Sequence, residues 1–374
     1  MPLQVGLIGD PVAHSFSPRL QQAAFDALGI PARYELWQTT ENELAARLTS
    51  LLDPHCLGAN VTIPHKEAVL PLLDFVDPIA TRIGAVNTIV HRDRYLYGYN
   101  TDAPGLLRAL AEQGIGDWQG DEFQGEGPYR NTEEFQGRHP APPGPSSSPG
   151  RGTRKADAGD AETKRMLQGK HPVPPGDRKG SPLPNYGEET SYPGRGYSLE
   201  GYTAVLLGAG GAARAAAFAL VSASVSRLII LNRHLERAQQ LVAAVQQSVG
   251  TSLLTVSPSK VNDPRDYPST QLFCLSDPDF LIPHPKSLII NTTPVGMHED
   301  ASPLPGEVLA RFAPDTFVFD MIYNPTETRL LIQARTLGLR AVNGLSMLLH
   351  QGALAFTLWT GQPAPLQVMR AALQ

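Results

Sequence analysis

The feature that most constrains this chain is the stretch Gly208-Ala209-Gly210-Gly211-Ala212-Ala213-Arg214, preceded by an apolar run over 203–207 and followed by an alanine-rich segment over 215–220. An apolar run, then glycines, then strong helix formers reads as strand, tight turn and helix, with the first helical N–H groups aimed at whatever sits in the turn. A phosphate suits that position. Gly208 permits the turn, Gly210 lets backbone approach a pyrophosphate, and Gly211 with Ala212 and Ala213 lets the helix lie close to the strand. Such a unit implies an α/β fold with a mainly parallel sheet.

A second apolar run, 228–231, ends in Asn232-Arg233, 24 residues after Gly208. In dinucleotide folds this is where the ribose is contacted, and a carboxylate there bonds the hydroxyls and repels a 2′-phosphate. Here an amide is followed by a guanidinium. Arg233, with Arg237 a turn later and Arg214 at the loop, supplies positive charge for a 2′-phosphate, which points to NADP(H) rather than NAD(H). A structural βαβ turn with ordinary surface arginines is the competing reading.

With 374 residues, 41% of them hydrophobic, the chain can bury two domain cores. A net charge of −5 with scattered basic residues does not suggest a nucleic-acid partner. The two cysteines, Cys56 and Cys274, form no disulfide framework, and the histidines lack metal-ligand spacing. No basic leader and no long apolar run follows Met1, so neither signal peptide nor membrane span is expected and the setting is cytoplasmic. Oligomeric state is not legible, a homodimer being one possibility.

From residue 4 to about 105, apolar runs (5–8, 33–37, 57–63) alternate with helical patterns (18–28, 41–52, 65–73), the signature of βαβ units. The runs 85–91 and 95–99, split by Arg92-Asp93-Arg94, form a hairpin, and a helix over 104–113 follows. Between about 120 and 198, Gly and Pro make up about a third of the residues, and Met166, Leu167, Val173 and Leu183 are the only aliphatic or Met side chains. Such a segment buries too little apolar surface to offset its ordering entropy, so 119–198 is expected to be a disordered insertion. Afterwards a helix over 234–247, strands over 287–292 and 316–321, and a buried helix over 346–358 are expected, with 251–286 irregular.

Polar residues of the first part read either as chemistry or as ordinary surface groups, a solvated lysine for Lys66 and turn residues for Asn87 and Asn100-Thr101-Asp102. Ser15 and Ser17 in His14-Ser15-Phe16-Ser17-Pro18 offer two hydroxyls to a carboxylate or polyol, although a helix-capping loop has the same look. Asn60-Val61-Thr62-Ile63-Pro64-His65-Lys66 puts a lysine just past a buried strand, and Asn87 and Asn100-Thr101-Asp102 end the hairpin strands.

These motifs, with Gly84-Ala85-Val86-Asn87-Thr88, Asn291 to Met297, Asp320 to Pro325 and Gly344 to Gln351, resemble in order and spacing those of the shikimate dehydrogenases. The resemblance covers all but about 119–198 and a somewhat long 257–286. It implies an NADPH-dependent reduction of 3-dehydroshikimate to shikimate in aromatic amino-acid biosynthesis, by a two-domain protein with its site in the cleft. A discontinuous substrate domain (1–103 and 345–374) would face a Rossmann-like cofactor domain (104–118 and 199–344). By the same resemblance Lys66 and Asp102 are the catalytic pair, and Ser15, Ser17, Thr62, Asn87, Tyr323 and Gln351 contact the substrate. Cofactor contacts would come from Gly208, Ala209, Gly210, Gly211, Ala212, Asn232, Arg233, His234, Arg237, Thr292, Met321, Gly344 and Met347. His234 departs from the Thr common in the family; an imidazole can still donate to a 2′-phosphate, with a contribution that varies near its reference value of ~6.5. A quinate or quinate/shikimate dehydrogenase shares the fold, and a non-catalytic regulatory paralogue is the reading from a different class.

Overall fold

The computed structural model describes residues 1–118, 196–249 and 270–374. Near-continuous apolar runs must be covered on both faces, and here they build two six-stranded sheets, each with helices against it. The first part runs β1 (Leu3–Gly9), α1 (Ser17–Ala27), β2 (Ala32–Gln38), α2 (Leu44–Ser50), β3 (Cys56–Val61), β4 (Phe75–Val76), α3 (Pro78–Ile83), β5 (Thr88–Arg92) and β6 (Tyr95–Tyr99). Its sheet has the order β2-β1-β3-β5-β6-β4, parallel from β2 to β3 and antiparallel through the hairpin. Asp93 and Arg94 both have positive φ in the two-residue hairpin loop, the twist that matches paired strands.

The helix expected over 65–73 does not form. The Lys66 carbonyl accepts the N–H of Val86 at 2.8 Å, Leu70 N–H turns to Glu67 O, and Pro71 has no N–H to give. With the i→i−4 ladder broken at two successive steps, only turns and a short 3₁₀ segment, Leu70–Leu72, remain.

Next come α4 (Asp102–Glu112), β7 (Asp117–Trp118) and β8 (Tyr197–Ser198), the last two pairing antiparallel. The disorder expected over 119–198 lies outside the described residues up to 195. Its last three residues are a correction: Ser198 pairs with Asp117, and Tyr197 is buried with its hydroxyl donating to the Ile115 carbonyl. The insertion therefore enters and leaves through a closed ladder. An 11-residue helix is about 16 Å long, so this neck lies at the opposite end of α4 from Asp102.

The second sheet is wholly parallel: β9 (Thr203–Leu207), β10 (Arg227–Leu231), β11 (Gln271–Leu275), β12 (Ser287–Asn291), β13 (Phe317–Asp320) and β14 (Arg340–Val342), in the order β11-β10-β9-β12-β13-β14. Its helices are α5 (Gly211–Ser222), α6 (Leu235–Val249), α7 (Gly306–Leu309) and α8 (Arg329–Thr336). This is the doubly wound order, with the direction of winding reversing between β9 and β12, where ligands bind. Of the irregular expectation for 251–286, the part over 251–269 lies outside the described residues and the rest is corrected by β11, an edge strand placed by its parallel pairing with β10.

The chain ends in α9 (Leu345–Thr360) and α10 (Leu366–Ala371). α9 returns to the first part and lies between α1 and α4, with Phe356 against Phe25 at 5.1 Å and Trp359 Nε1 donating to the Ile89 carbonyl. Glycine permits this close approach: a Cβ on Gly105 would lie 2.8 Å from Gln351 Cβ, and one on Gly352 would lie 2.5 Å from Leu20 Cδ2. α4 also packs on α5, so this one helix touches both halves. No helix among the described residues is long and apolar enough to cross a membrane.

Candidate active site

Lys66 follows β3 and Asp102 opens α4; they come together because β3 and the β5–β6 hairpin are neighbours in the sheet. Lys66 Nζ donates to Asp102 Oδ2 at 2.6 Å, with side chains 14% and 7% exposed. Asn100 holds the start of α4: its Oδ1 accepts the N–H groups of Asp102 and Ala103, and its Nδ2 donates to the Ala85 carbonyl. A carboxylate in the first helical turn is favoured by the helix dipole. A buried ammonium held by one carboxylate keeps two further N–H donors for the cleft.

Asn87 Nδ2 sits between three acceptors, Asp102 Oδ1 at 2.8 Å, Thr101 Oγ1 at 2.9 Å and Gln351 Oε1 at 3.4 Å, while Asn87 Oδ1 accepts the Thr101 N–H. The fold thus gathers Lys66, Asp102, Asn87 and Gln351 from four separate segments. Asn60, Tyr34 and Thr101 complete the group; Asn60 and Thr101 stand in motifs already read without a role of their own, and Tyr34 has no local signal that marks it. Asn60 donates to the Asn87 carbonyl and to Thr88, and accepts from the Tyr34 hydroxyl at 2.8 Å. Burial pushes the Tyr34 phenol far above its ordinary value, so it stays a neutral donor.

At the other end of the cleft, Ser15 Oγ donates to Ser17 Oγ at 3.1 Å, and Tyr323 from the second half reaches Ser15 Oγ at 3.5 Å while packing on Phe16. The two serines meet through the turn that leads into α1. Asn324 also crosses, donating to the His14 carbonyl. Ser15, Thr62 and Tyr323 line a cavity of about 620 Å³ that opens between the halves; Lys66 and Asp102 lie beyond its lining.

The cofactor motif meets this cleft from the second sheet. Gly208 has φ +111°, and a Cβ there would lie 2.6 Å from Thr292 Oγ1, whose hydroxyl donates to the Leu207 carbonyl. Gly210 faces open space, leaving the N-terminus of α5 and the partly exposed turn over 209–212 free for a pyrophosphate, so the donor set fits a dinucleotide. Gly211 also meets the first half: a Cβ on it would lie 3.2 Å from Lys66 Cβ, so its smallness accommodates the lysine stem as well. Arg214 Nε of the same turn meets Glu67 Oε2 at 3.2 Å.

Arg233, His234 and Arg237 are exposed just past β10, and Asn232 Nδ2 donates to the His234 carbonyl, which folds this loop at the mouth of the turn. Gly344 packs against the Met321 carbonyl, where a Cβ would clash, and Met347 is 8% exposed in a core cluster shared by both halves. Asp320 ties the ends of β12 and β13, accepting from Asn291 Nδ2, Ile322 N–H and Thr328 Oγ1. Burial still raises its carboxyl above the usual range. Among the described residues, no three His, Cys, Asp or Glu side chains gather as a metal site.

Residues 7–89 match the family described as the shikimate dehydrogenase substrate binding domain, 194–261 the shikimate / quinate 5-dehydrogenase family, and 344–374 the shikimate 5'-dehydrogenase C-terminal domain. A shikimate dehydrogenase (NADP(+)) of Moorella thermoacetica is 36% identical over 99% of this chain and 92% of its own. The chain belongs to the shikimate dehydrogenase family. A second shikimate dehydrogenase (NADP(+)), from Symbiobacterium thermophilum, is 33% identical over 98% of this chain and 92% of its own. Among solved structures, the shikimate 5-dehydrogenase of Thermus thermophilus in complex with NADP(H) and shikimate aligns with a TM-score of 0.63 at 30% identity, covering 99% of this chain and 98% of that one. Shikimate dehydrogenase architecture thus accounts for both sheets and for the return of α9.

Proposed function

We propose that this chain catalyses the reversible NADPH-dependent reduction of 3-dehydroshikimate to shikimate, a step of aromatic amino-acid biosynthesis. The observation that carries the proposal is the buried Lys66–Asp102 pair at 2.6 Å, seated beside a glycine-rich turn shaped for a dinucleotide. The relatives named for this NADP-dependent reaction, at 36% and 33% identity over nearly the whole chain, support it.

NADPH, when bound, supplies the hydride. Gly208 to Ala212 and the α5 N-terminus would hold its pyrophosphate, and Asn232, Arg233, His234 and Arg237 its ribose 2′-phosphate, with Thr292, Met321, Gly344 and Met347 toward the nicotinamide. Reduction of a ring ketone leaves negative charge on the carbonyl oxygen. Lys66 Nζ, held by Asp102, stabilises that charge and delivers the proton. In the reverse direction the same nitrogen takes the proton back. Ser15 and Ser17 bind the substrate carboxylate, with Tyr323 bordering it, while Thr62, Asn87 and Gln351 hold ring hydroxyls.

The proposal divides the chain into a substrate part (1–103 and 345–374) and an NADP-binding part (104–118 and 199–344), interrupted by the insertion. It places the enzyme in the cytoplasm, acting on a small molecule with no nucleic-acid or membrane partner, and takes a homodimer as the assembly for sedimentation to test. Activity is tested by offering purified protein shikimate or quinate, each with NADP+ or NAD+, and following the reduced nucleotide. Turnover concentrated on shikimate with NADP+ is expected. Efficient quinate turnover would move the reading to a broader quinate/shikimate enzyme, and a folded protein silent in every pairing would defeat the catalytic reading.

A further inference from the structure

Lys66 is placed by more than Asp102. On its chain neighbour, Glu67 Oε2 meets Arg214 Nε of α5 at 3.2 Å, a charge-to-charge contact between the two halves. Arg214 is 22% exposed and Glu67 48%. The Arg214 guanidinium also lies against Gly84, with Nη1 3.4 Å from where a Cβ would stand, and Gly84 carries φ +71°. Three positions before Arg214, Gly211 supports the Lys66 stem, where an added Cβ would come within 3.2 Å of Lys66 Cβ and 3.5 Å of Cδ. Lys66 itself is fixed through its carbonyl to Val86 N–H.

We propose that Arg214 and Glu67 form a clasp between the halves that holds the Lys66 ammonium at working distance from the dinucleotide turn, which makes Arg214 a positioning residue rather than a cofactor ligand. The reaction needs the proton donor on one half and the hydride donor on the other to meet at a single carbonyl group. At the serine end, Tyr323–Ser15 and Asn324–His14 join the halves. At the lysine end, the Arg214–Glu67 pair is a charged contact that spans the cleft, and it is carried by the same first turn of α5 that holds Gly211. Any drift of α5 is then passed to Lys66 directly. This inference rests on the proposed function for its kinetic consequence and on the structure alone for its effect on Lys66.

The test compares the parent enzyme with Arg214→Met, Glu67→Gln, and the charge-swapped pair Arg214→Glu with Glu67→Arg. Shikimate oxidation by NADP+ is run with protium or deuterium at the carbinol carbon, and Lys66 labelling by trinitrobenzenesulfonate is followed by peptide mass spectrometry. Each single variant is expected to lose about two- to fivefold in kcat, the range a partly exposed ion pair supports. KM for both substrates should stay within about twofold, as expected when an interaction acts on the chemical step. The deuterium effect on kcat should rise and Lys66 should label faster, with both returning toward the parent in the swapped pair. A rise in KM for NADP+ with kcat kept would make Arg214 a cofactor ligand and overturn the proposal. Unchanged Lys66 labelling in both single variants would overturn it whatever the substrate proves to be, and a parent without shikimate turnover would strike the proposed function instead.

Discussion

Gly105→Ala probes the contact that brings Gln351 into the site. Gly105 is interior to α4, and an added Cβ would stand 2.8 Å from Gln351 Cβ, 3.0 Å from its N and 3.1 Å from its Cα. These are not flexible side-chain tips, so α9 or α4 must move. Overpacking of this kind costs about 1–3 kcal/mol. Alanine in a helix interior recovers about 1 kcal/mol relative to glycine. The difference predicts a net loss of about 1 kcal/mol, equivalent to a fall in Tm of about 2–4 °C for a part of this size. Function should respond more sharply. Gln351 Oε1 is already 3.4 Å from Asn87 Nδ2 and 3.5 Å from Thr101 Oγ1, so a displacement of a few tenths of an ångström removes both. A misplaced Gln351 also loses the one hydrogen bond it is proposed to make to a ring hydroxyl, and at about 0.5–1.5 kcal/mol that loss raises KM for shikimate by about two- to tenfold, with kcat little changed. Thermal melts and steady-state kinetics measure both, with Gly306→Ala, whose nearest contact is an ordinary 3.6 Å, as the control. A Gly105→Ala enzyme with parental Tm and KM would refute the reasoning that this glycine sets the spacing of α4 and α9.

Lys66→Ala should lower kcat by about 10²–10⁴ while leaving KM for shikimate nearly unchanged, and retention of parental kcat would remove Lys66 as proton donor. Arg233→Ser should raise KM for NADPH more than KM for NADH; an equal effect on both cofactors would mean that Arg233 does not face the 2′-phosphate. A pH dependence of stability is expected from His350. Burial holds its imidazole below the ordinary value although Glu112 faces it at 3.3 Å, with Arg370 and Arg108 also nearby. Because the unfolded chain takes up this proton first, stability is lost as pH falls below about 6.5. Glu112, held below the usual carboxylate range chiefly by its bond to His350, adds its loss only at lower pH, beneath about 4.3. Urea midpoints measured between about pH 7 and pH 5 should fall less in His350→Gln than in the parent, and equal slopes would contradict the assignment.

What the sequence by itself determined is local in kind. Thr203–Leu207 followed by Gly208, Gly210 and Gly211 specifies strand, turn and helix because each step is a backbone property of a few neighbouring residues. The alternation of apolar runs with helical periods likewise carried the α/β class, and Asn232-Arg233 carried the leaning toward NADP. The failures were of the opposite kind. A helical pattern over 65–73 was overridden because Val86, twenty residues from Lys66, captures the Lys66 carbonyl. β11 went unseen because an edge strand exposes one side and its pairing with β10 is set in space. The site divides along the same line. Lys66 and Asp102 were legible as motif residues, but the roles of Asn60, Tyr34 and Thr101 depend on the register that sets Asn60 opposite Thr88. Gly211 and Arg214 were assigned by sequence to strand packing and to phosphate charge. Tertiary structure adds contacts that no local pattern signals, Gly211 against Lys66 and Arg214 against Glu67, because α5 begins at the junction of the two halves.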